Sequence, residues 1–494
     1  MTGERRYWRA TLFGVALYIV VFCAFTIGRY ERYNATGYDL AFYDQIIWRT
    51  AHTDVMGVSI EGDNVSNWAF HVEPILLLLA PLSLVFQDTR WLLVLQTAAL
   101  GVAAIPVYHI ALREWQKPWV AFVFAALYLL YPAVGFANKF DFHPLTLTTP
   151  LLLFAWDSAE LKRYRLTTLL LFLTLLCKEE MGFVVAAFGL YWYLAARWRT
   201  GLLWAVGGVA WALVGFFVII PNAQGKVLLP NQAFLRYRWL FSGTLAQKIA
   251  YITGPDTPLK IRFLIQLFTP LLFTPLLKPR ILVIAAPILI LSLLSAQPDQ
   301  SGIFHQYMAD VVPFLMIAAI KGTHDLLAYA RRLRLRKTAL QRVLMVGMLA
   351  GTPIMLVAFN PFTFVPRFPY SPVYGWEAGA SLDGLRAAEK VIPPDSCLTA
   401  SNNIAAHYGQ RKFIYVFGIG NWATCDLSMV DLIDTRFQDF GSPQEMACKQ
   451  FAAENYRPIF FQNNVVILKY DAADNPDFDG QLKAFCAEHL PQSF

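Results

Sequence analysis

Long apolar stretches decide the fold of this chain, and the clearest of them is residues 166–196, LTTLLLFLTLLCKEEMGFVVAAFGLYWYLAA. Its two apolar halves are separated by Lys178, Glu179 and Glu180. A helix that crosses a bilayer needs about 20 apolar residues, so each half must borrow residues from its flanks or be a broken helix. Ionisable groups at membrane depth are costly and usually face a cavity. The stretch therefore predicts two membrane helices that meet at an ionic break.

The composition of the whole chain agrees with a membrane protein. Of its 494 residues, 56% are hydrophobic and only 15% are charged, whereas soluble proteins average about 25% charged residues. Aromatic residues make up 15% of the chain, which suits the two interfaces of a bilayer. These values exclude a soluble globular enzyme and an intrinsically disordered chain. They predict a polytopic α-helical membrane protein.

Eleven apolar runs are long enough to cross, or nearly cross, a bilayer. They lie near residues 8–28, 91–112, 118–136, 144–160, 166–177, 181–196, 201–221, 261–276, 281–296, 307–327 and 341–359. A twelfth run at 71–87 is short and is interrupted by Pro74 and Pro81. We interpret it as a re-entrant or interface-lying helix, so the sequence predicts about eleven transmembrane helices.

The distribution of basic residues predicts the orientation of these helices. If the N-terminus is cytoplasmic and 71–87 does not cross, every basic cluster faces the cytoplasm, as the positive-inside rule requires. The clusters are Arg5 to Arg9, Arg113 and Lys117, Lys162 to Arg165, Arg197 and Arg199, Lys278 and Arg280, and Arg331 to Lys337. We therefore expect a multi-pass protein of the inner (cytoplasmic) membrane, with 29–90 as its first outer loop and its C-terminal domain outside.

Residues 361–494 are predicted to form that extracytoplasmic domain, of α/β class. They carry 10 Lys and Arg against 15 Asp and Glu, although the whole chain has a net charge of +7. The runs CLTAS, KFIYVFG, MVDLID, PIFFQ and VVILKY predict strands, and helical segments near 382–392 and 443–455 fit a mixed or parallel sheet. The basic excess belongs to residues 1–360. Since it forms no basic run interleaved with aromatics, we expect no nucleic-acid partner.

Four of the six cysteines, Cys397, Cys425, Cys448 and Cys486, lie in this predicted outer domain. An even number of cysteines in an oxidising compartment permits disulfides, and four cysteines allow three pairings. A zinc site is the weaker interpretation, because the chain has no CxxC pattern. The other two cysteines lie in or near apolar runs and are interpreted as buried apolar residues.

The first outer loop holds Asp39 and Asp44 within the aromatic segment YDLAFYDQIIWRTAHTD. Carboxylates on an amphipathic helix at the membrane surface suit catalysis at the bilayer boundary. The structural alternative is that Asp39 caps a helix over 40–50. Both interpretations stay open from this segment alone.

Two further polar groups interrupt the apolar runs. KFDFHP places Asp141 and His143 between two runs, and CKEEMG places Lys178, Glu179 and Glu180 inside another. They are functional candidates because such ions usually line a cavity, although a short solvated hairpin tip would also hold them. His143, Asp141 and Glu179 could bind a divalent ion only if the fold brings them together.

Outer segments later in the chain add more candidates. Arg236 and Arg238 stand beside aromatic residues, and guanidinium groups form bidentate contacts with a lipid phosphate. Ordinary head-group anchoring explains them equally well. The segment HQYMAD places His305, Tyr307 and Asp310 at the predicted outer end of another span. A lone His at such a position is more often a packing residue than a ligand.

Several of these segments together resemble an uncharacterised family of multispanning membrane proteins in the C-type (GT-C) glycosyltransferase superfamily. The matching residues are YDLAFYDQIIW, FHVEP, YP followed by FDFHP, KEEMG, HQYMADVVPF and IPPDSCLTASNNIAAHYGQRKFIYVF. The resemblance covers most of the chain and extends distantly to protein O-mannosyltransferases and lipid A aminoarabinose transferases. It implies a GT-C-like transmembrane domain over 1–360 and a polyprenyl-phosphate-linked sugar as donor on the outer face of the membrane.

The resemblance also implies catalytic residues. Asp39 matches the acidic residue of the first outer loop, which acts as general base or metal-associated carboxylate. Leu40 follows it where the superfamily has a second acid, so the second acid is Asp44 or comes from elsewhere. Asp141 matches an acidic position at the outer end of a later span.

The remaining candidates are assigned to substrate binding. His71 and Glu73 match the place where related transferases hold a polar residue near the donor. Lys178, Arg236 or Arg238 would contact the phosphate. The other candidates are His143, Glu179, Glu180, His305 and Tyr307.

The sequence thus predicts an inverting membrane glycosyltransferase of the cell envelope, which moves a sugar from a polyprenyl-phosphate donor to a glycan, lipid or protein acceptor. One alternative is a lipid or solute transporter or flippase, although no internal repeat favours it. Another is a noncatalytic subunit of a membrane assembly. The cofactor is left open, with a divalent metal ion as the candidate.

Overall fold

The computed structural model describes residues 2–60, 65–225, 236–332, 337–358, 379, 381–434, 441–453 and 455–489. The chain forms two compact units. The helical unit comprises Met1–Cys23, Trp68–Ile75 and Val94–Thr363, and the sheet unit comprises Ala24–Asn67, Leu76–Leu93 and Phe364–Phe494. The predicted domain boundary at 360/361 and part of the basic cluster Arg331 to Lys337 lie outside the described residues.

Helices dominate the described residues. The α-helices are α1 (Thr2–Tyr30), α2 (Phe42–His52), α3 (Ile75–Ser83), α4 (Arg90–Val102), α5 (Ala104–Trp115), α6 (Pro118–Leu129), α7 (Pro132–Lys139), α8 (Thr148–Glu160), α9 (Tyr164–Leu175), α10 (Met181–Ala196), α11 (Arg199–Val214), α12 (Ile220–Ala223), α13 (Arg238–Phe241), α14 (Leu245–Ile252), α15 (Thr257–Phe268), α16 (Pro279–Leu294), α17 (Val312–Arg332), α18 (Lys337–Ala358), α19 (Leu382–Ala388), α20 (Asn402–Ala405), α21 (Pro443–Ala452) and α22 (Pro476–His489). Two π-helical turns cover Gly37–Ala41 and Gly215–Ile219, and short 3-10 turns include Pro144–Leu147, Pro298–Ser301 and Gln306–Met308.

Three described helical segments are long and apolar enough to cross a membrane: Gly3–Tyr30, Arg90–Trp115 and Arg199–Ala223. Helices α6 and α7 make a fourth if this pair, bent by 42°, is one span. Shorter apolar helices are Tyr164–Leu175, Met181–Ala196, Pro279–Leu294 and Thr338–Gly351. These segments agree with a helical membrane fold. The count of eleven spans stays a prediction, because the shorter helices fall below the roughly 20 residues that a crossing needs.

The ionic break predicted in residues 166–196 is present. Helix α9 ends at Leu175 and α10 begins at Met181, so Lys178, Glu179 and Glu180 lie in the connection between them. The ambiguous run at 71–87 forms only the nine-residue helix α3, which is too short to cross a bilayer of about 30 Å.

Glycines set the spacing between α10 and α11. A Cβ atom on Gly182 would lie 2.3 Å from the carbonyl oxygen of Gly208, and one on Gly189 would lie 2.4 Å from that of Gly201. Both distances are shorter than van der Waals contact permits, so any larger residue would separate the helices. Small residues allow this close approach where van der Waals packing, rather than the hydrophobic effect, drives helix association in a membrane.

The sheet unit contains a mixed five-stranded sheet with strand order β4-β3-β5-β7-β6. Its strands are β3 (Leu398–Ala400), β4 (Ile414–Val416), β5 (Leu427–Asp431), β6 (Tyr456–Gln462) and β7 (Val465–Tyr470), and a two-stranded ribbon pairs β1 (Gly57–Val58) with β2 (Val65–Ser66). Strand β3 is parallel to β4 and β5, whereas β7 is antiparallel to β5 and β6. The five strands and the helices at 382–388 and 443–452 confirm the predicted α/β character of this region.

The predicted first outer loop packs on the C-terminal sheet within the sheet unit. The backbone N–H of Tyr38 donates to Asn402 Oδ1 at 2.9 Å, and Gln45 Nε2 donates to the carbonyl of Arg411 at 3.2 Å. The Ser59 hydroxyl donates to the carbonyl of Ile414 at 2.8 Å. These contacts join residues more than 350 positions apart, so the loop and the C-terminal region fold as one body.

The four cysteines of the C-terminal region form two disulfides, Cys397–Cys425 and Cys448–Cys486. Cys23 and Cys177 take part in no disulfide among the described residues. The second disulfide joins α21 to α22 inside the apolar core of the sheet unit, which also contains Phe417, Val430, Leu432, Val466, Leu468 and Leu482. Two disulfides are typical of a domain that folds in an oxidising compartment.

Replacing both Cys448 and Cys486 by Ser is expected to lower the free energy of unfolding of the sheet unit by about 3–4 kcal/mol, because the bond closes a long loop in the unfolded chain. The thermal unfolding midpoint of the full chain in detergent measures the effect. Cys23→Ala, which removes a cysteine that belongs to neither disulfide, is the control. Equal midpoints for the wild type and the double variant would contradict a disulfide between these residues.

Candidate functional site

A buried carboxylate ties the segment before α3 to the ionic break. Glu179 Oε1 lies 3.0 Å from His71 Nδ1, and its Oε2 accepts a hydrogen bond from the Val72 backbone N–H at 2.9 Å. The Ile75 N–H donates to the carbonyl of Leu176 at 2.9 Å. Glu179 therefore holds His71, which is one-quarter exposed, at the edge of the break.

Lys178 is the central cation of this region. Its Nζ lies 3.3 Å from Glu180 Oε1, and only 10% of its side chain is exposed. Glu180, Glu179 and Glu73 are the carboxylates that act on its charge, in decreasing order, and Arg236 is a second cation within range. Burial disfavours a lone ammonium, so these carboxylates keep Lys178 charged.

Tyr237, Tyr307 and Asp310, which come later in the chain, lie near the same group of charges. Tyr237 lies within electrostatic range of Glu180, Arg236, Lys178 and Tyr307. Asp310 is fully buried and lies in range of Glu180 and Lys178. We call these residues of the helical unit the ionic cluster: His71, Glu73, Lys178, Glu179, Glu180, Arg236, Tyr237, Tyr307 and Asp310.

Contacts with the end of α16 fix the segment that carries Arg236. The Ala296 N–H donates to the Arg236 carbonyl at 2.9 Å, and Trp239 Nε1 donates to the carbonyl of Leu294 at 2.9 Å. The Trp239 ring stacks on Tyr251 with centroids 4.1 Å apart. Arg238 is exposed and makes no ion pair among the described residues, so head-group anchoring fits it better than membership of the cluster.

A group of packed aromatic and histidine rings lies next to Tyr307. Phe140 has its ring 4.9 Å from His305 and 5.1 Å from His143, and the rings of His305 and Tyr307 lie 6.0 Å apart. Asp141 is fully buried, and its carbonyl oxygen lies 2.9 Å from His143 Nδ1. The structure therefore brings His143 and His305 together on the Phe140 ring, with the backbone of Asp141 beside His143.

Gln96 on α4 organises the loop that carries Asp141, although the sequence did not single it out. Its Nε2 lies within 3.4 Å of the carbonyl oxygens of Ala137, Asn138 and Phe140. Its Oε1 accepts from the backbone N–H of His143 at 3.1 Å. A fully buried glutamine within an apolar helix is the signal that could have identified it.

Asp39 and Asp44 belong to the sheet unit and have different surroundings. Asp39 lies in the π-helical turn Gly37–Ala41 and is half-buried, and its Oδ2 accepts a hydrogen bond from Thr36 Oγ1 at 2.8 Å. The residue that precedes α2 is Ala41, and no side chain caps that helix. The alternative in which Asp39 caps a helix over 40–50 is therefore wrong.

Asp44 is completely buried. Its Oδ2 accepts from Thr89 Oγ1 at 2.6 Å, and its Oδ1 accepts from Gln410 Nε2 at 3.2 Å. A Cβ atom on Gly409 would lie 2.9 Å from Asp44 Oδ2. These contacts describe a buried carboxyl that joins three segments of the sheet unit.

The stability of the sheet unit is expected to depend on pH through Asp44. Burial raises the pKa of Asp44 to about 6, although the hydrogen bonds of Thr89 and Gln410 lower it. The folded chain then holds a proton that the unfolded chain releases above its ordinary pKa of about 4. The free energy of unfolding should therefore fall by about 2 kcal/mol as the pH rises from 4 to 6.

Unfolding midpoints of the wild type and Asp44→Asn, measured from pH 4 to pH 7, isolate this effect because Asn does not titrate. The wild type should gain stability relative to the variant as the pH falls. A difference that is constant over this range would contradict the assignment.

An apolar groove lies between α9 and α11, with a volume of about 540 Å³. Trp204, Trp211, Leu175 and Val214 are among its lining residues. Leu175 ends α9 only three residues before Lys178, and the residue after Val214 is Gly215, whose added Cβ would lie 2.8 Å from Glu179 Cβ. One end of the groove therefore adjoins the ionic cluster.

The divalent metal ion that the sequence left open stays a prediction. Among the described residues, no group of three or more His, Cys, Asp or Glu side chains lies close enough together to hold a metal ion. We assign no step to a metal.

Comparisons with known proteins give a family and a fold. The family model described as predicted membrane protein (DUF2079) matches residues 29–467. No curated protein matches the chain. The crystal structure of ArnT from Cupriavidus metallidurans bound to undecaprenyl phosphate has a TM-score of 0.58 with 13% sequence identity, covering 94% of this chain and 99% of that chain. This likeness establishes a fold similar to that of ArnT.

Proposed function

This chain belongs to the DUF2079 family of predicted membrane proteins, and on that premise we propose that it is a membrane glycosyltransferase with a polyprenyl-phosphate-linked sugar as donor. ArnT, whose fold it shares, is a GT-C glycosyltransferase and was crystallised with undecaprenyl phosphate. The sequence resemblance to that superfamily points to the same class of reaction.

One observation carries the proposal: two cations, Lys178 and Arg236, share an ionic cluster that adjoins an apolar groove. A polyprenyl phosphate has two matching parts, an anionic head and a long apolar tail. Ammonium and guanidinium groups form strong charge-assisted hydrogen bonds with phosphate oxygens. The groove between α9 and α11 supplies apolar surface for the first isoprene units.

Two features support an outer-face reaction. Most of the first outer loop shares one compact unit with the C-terminal region, so these parts lie on the same side of the membrane and an even number of crossings separates them. The disulfides Cys397–Cys425 and Cys448–Cys486 suit the oxidising side. Both features agree with an N-terminus in the cytoplasm and a C-terminal domain outside.

In the proposed reaction, an acceptor oxygen attacks the anomeric carbon of the sugar as the bond from that carbon to the lipid phosphate oxygen breaks. The phosphate leaves with the bonding electrons, and Lys178 and Arg236 stabilise its added charge. A carboxylate takes the acceptor proton as general base, and the sequence resemblance assigns this role to Asp39. A lipid phosphate is already a good leaving group, so the reaction needs no strong general acid, and attack on the opposite face inverts the anomeric configuration.

Asp39 suits the base better than Asp44. Its carboxylate is half-buried and accepts a hydrogen bond from Thr36 at 2.8 Å, and the sequence resemblance matches it to the acidic residue of the first outer loop. Both oxygens of Asp44 are buried against Thr89 and Gln410. We therefore assign Asp39 as the base and Asp44 to the packing of the sheet unit.

A transfer assay tests this function. The purified full chain is reconstituted in vesicles with a panel of radiolabelled polyprenyl-phosphate sugars and extracts of envelope lipids, glycans and proteins. We expect label to pass from one donor to an acceptor and free polyprenyl phosphate to form in equal amount. Movement of intact donor lipid across the bilayer without any transfer would instead favour a flippase.

A further inference from the structure

Asp310 is a buried carboxyl whose oxygens have no well-aligned hydrogen-bond donor among the described residues. It lies between the 3-10 turn Gln306–Met308 and α17, and its exposed fraction is 0%. Neither Oδ1 nor Oδ2 meets a donor in hydrogen-bonding geometry within the described residues. Burying a carboxyl without a partner costs several kcal/mol, so this position requires an explanation from function.

The charges around Asp310 do not supply the missing partner. The charges of Glu180 and Lys178 lie within electrostatic range of this carboxyl, and the backbone N–H groups of Asp310 and Val311 lie beside it. Lys178 already lies 3.3 Å from Glu180. Asp310 therefore faces the ionic cluster without an ion pair of its own.

A second acceptor occurs in the same segment. Gln306 is 6% exposed, and its Oε1 also meets no donor within the part of the chain that the structure describes. Three buried acceptor oxygens thus stand within five residues. A ligand that carries several hydrogen-bond donors would satisfy these acceptor oxygens. Hydroxyl and ammonium groups are the common donors of this kind.

We propose that Asp310, together with Gln306, binds the sugar of the donor lipid by accepting hydrogen bonds from its hydroxyl or amino groups. This proposal rests on the proposed function, since it places the sugar beside the phosphate held by Lys178 and Arg236. A bound sugar would satisfy oxygens that the fold leaves unsatisfied, and the free energy gained would favour the glycosylated lipid over the bare lipid phosphate.

Two lipids that differ only in the sugar test the proposal: polyprenyl phosphate and its monoglycosylated form. Dissociation constants for both are measured on the full chain in detergent, with the donor that is active in the transfer assay. Asp310→Asn should weaken binding of the glycosylated lipid by about 10-fold, since one hydrogen bond to a polar group contributes about 1–2 kcal/mol. Binding of polyprenyl phosphate should stay unchanged.

The control variant is Asp157→Asn, which alters another buried carboxyl of the helical unit, paired with Arg113 at 2.6 Å. It should leave both dissociation constants unchanged. Gln306→Met provides a second test if Asp310→Asn does not fold. It should weaken the binding of the glycosylated lipid and leave the binding of polyprenyl phosphate unchanged. Two glycosylated lipids, one with a neutral hexose and one with an amino sugar, distinguish hydrogen bonds from hydroxyl groups and from an ammonium group. If an ammonium group donates to Asp310, the loss of affinity in Asp310→Asn should be larger for the amino-sugar lipid.

The outcomes separate this proposal from the proposed function. If Asp310→Asn weakens the binding of both lipids equally, or of neither, the proposed sugar subsite is contradicted, whereas the binding of the lipid phosphate is not. If the wild type binds neither lipid, the proposed function itself fails, and the subsite fails with it.

Discussion

Replacing Lys178 by Met is expected to weaken the binding of polyprenyl phosphate roughly 10- to 150-fold, which corresponds to about 1.5–3 kcal/mol for a lost charge-assisted hydrogen bond. Lys178 is nearly buried and lies 3.3 Å from Glu180. Without it, the carboxylates of Glu180 and Glu73 are no longer balanced, and they repel an incoming phosphate. The unbranched Met side chain keeps most of the apolar volume of Lys.

Native mass spectrometry or a fluorescence titration with undecaprenyl phosphate measures this change. Lys278→Met is the matched control, because it removes a lysine whose ion pair with Asp325, at 2.5 Å, is partly exposed. The control should bind the lipid like the wild type. Equal affinity of Lys178→Met and the wild type would remove Lys178 from the phosphate site.

Replacing Asp39 by Asn is expected to slow sugar transfer by about 10²- to 10⁴-fold, the usual contribution of a general base. Asn keeps an oxygen that can accept the hydrogen bond of Thr36, so the turn Gly37–Ala41 should fold. Binding of the donor should not change, because the role of Asp39 is to take the acceptor proton.

Initial rates of transfer and donor dissociation constants separate these effects. Asp88→Asn is the control, since it alters a carboxylate of the same unit that is 43% exposed and pairs with Arg90. It should retain the wild-type rate. Full activity in Asp39→Asn would show that another acid is the base, with Asp141 as the next candidate.

The sequence was sufficient for features that depend on local pattern. Apolar length predicted the membrane helices, and the ions at 178–180 predicted the break between α9 and α10, because charges interrupt a membrane helix wherever they occur. Alternating apolar residues predicted the strands of the C-terminal region. The resemblance to a multispanning membrane family is confirmed by the DUF2079 match and by the fold shared with ArnT.

Features that depend on distant contacts could not be predicted. The contact between Ser59 and Ile414 joins segments 355 residues apart, and no local pattern specifies which segments meet. For the same reason, the sequence left three disulfide pairings open. The inward position of Asp310 also follows from tertiary packing, since a polar residue next to an apolar helix can lie on any of its faces.

The alternative functions predict different behaviour. A lipid transporter should move donor lipid across vesicles while Asp39→Asn remains active, because transport needs no base. A noncatalytic assembly subunit should co-purify with partners and tolerate changes at Asp39, Asp141 and Glu179. Loss of transfer in Asp39→Asn with unchanged donor binding would exclude both.

The most direct measurement is an experimental structure of the full chain with undecaprenyl phosphate. We predict phosphate oxygens about 3 Å from Lys178 Nζ, the distance of a charge-assisted hydrogen bond, with Arg236 on the other side and the first isoprene units in the groove between α9 and α11. A lipid phosphate bound away from Lys178 and Arg236, or a lipid tail that leaves this groove empty, would contradict the proposed donor site.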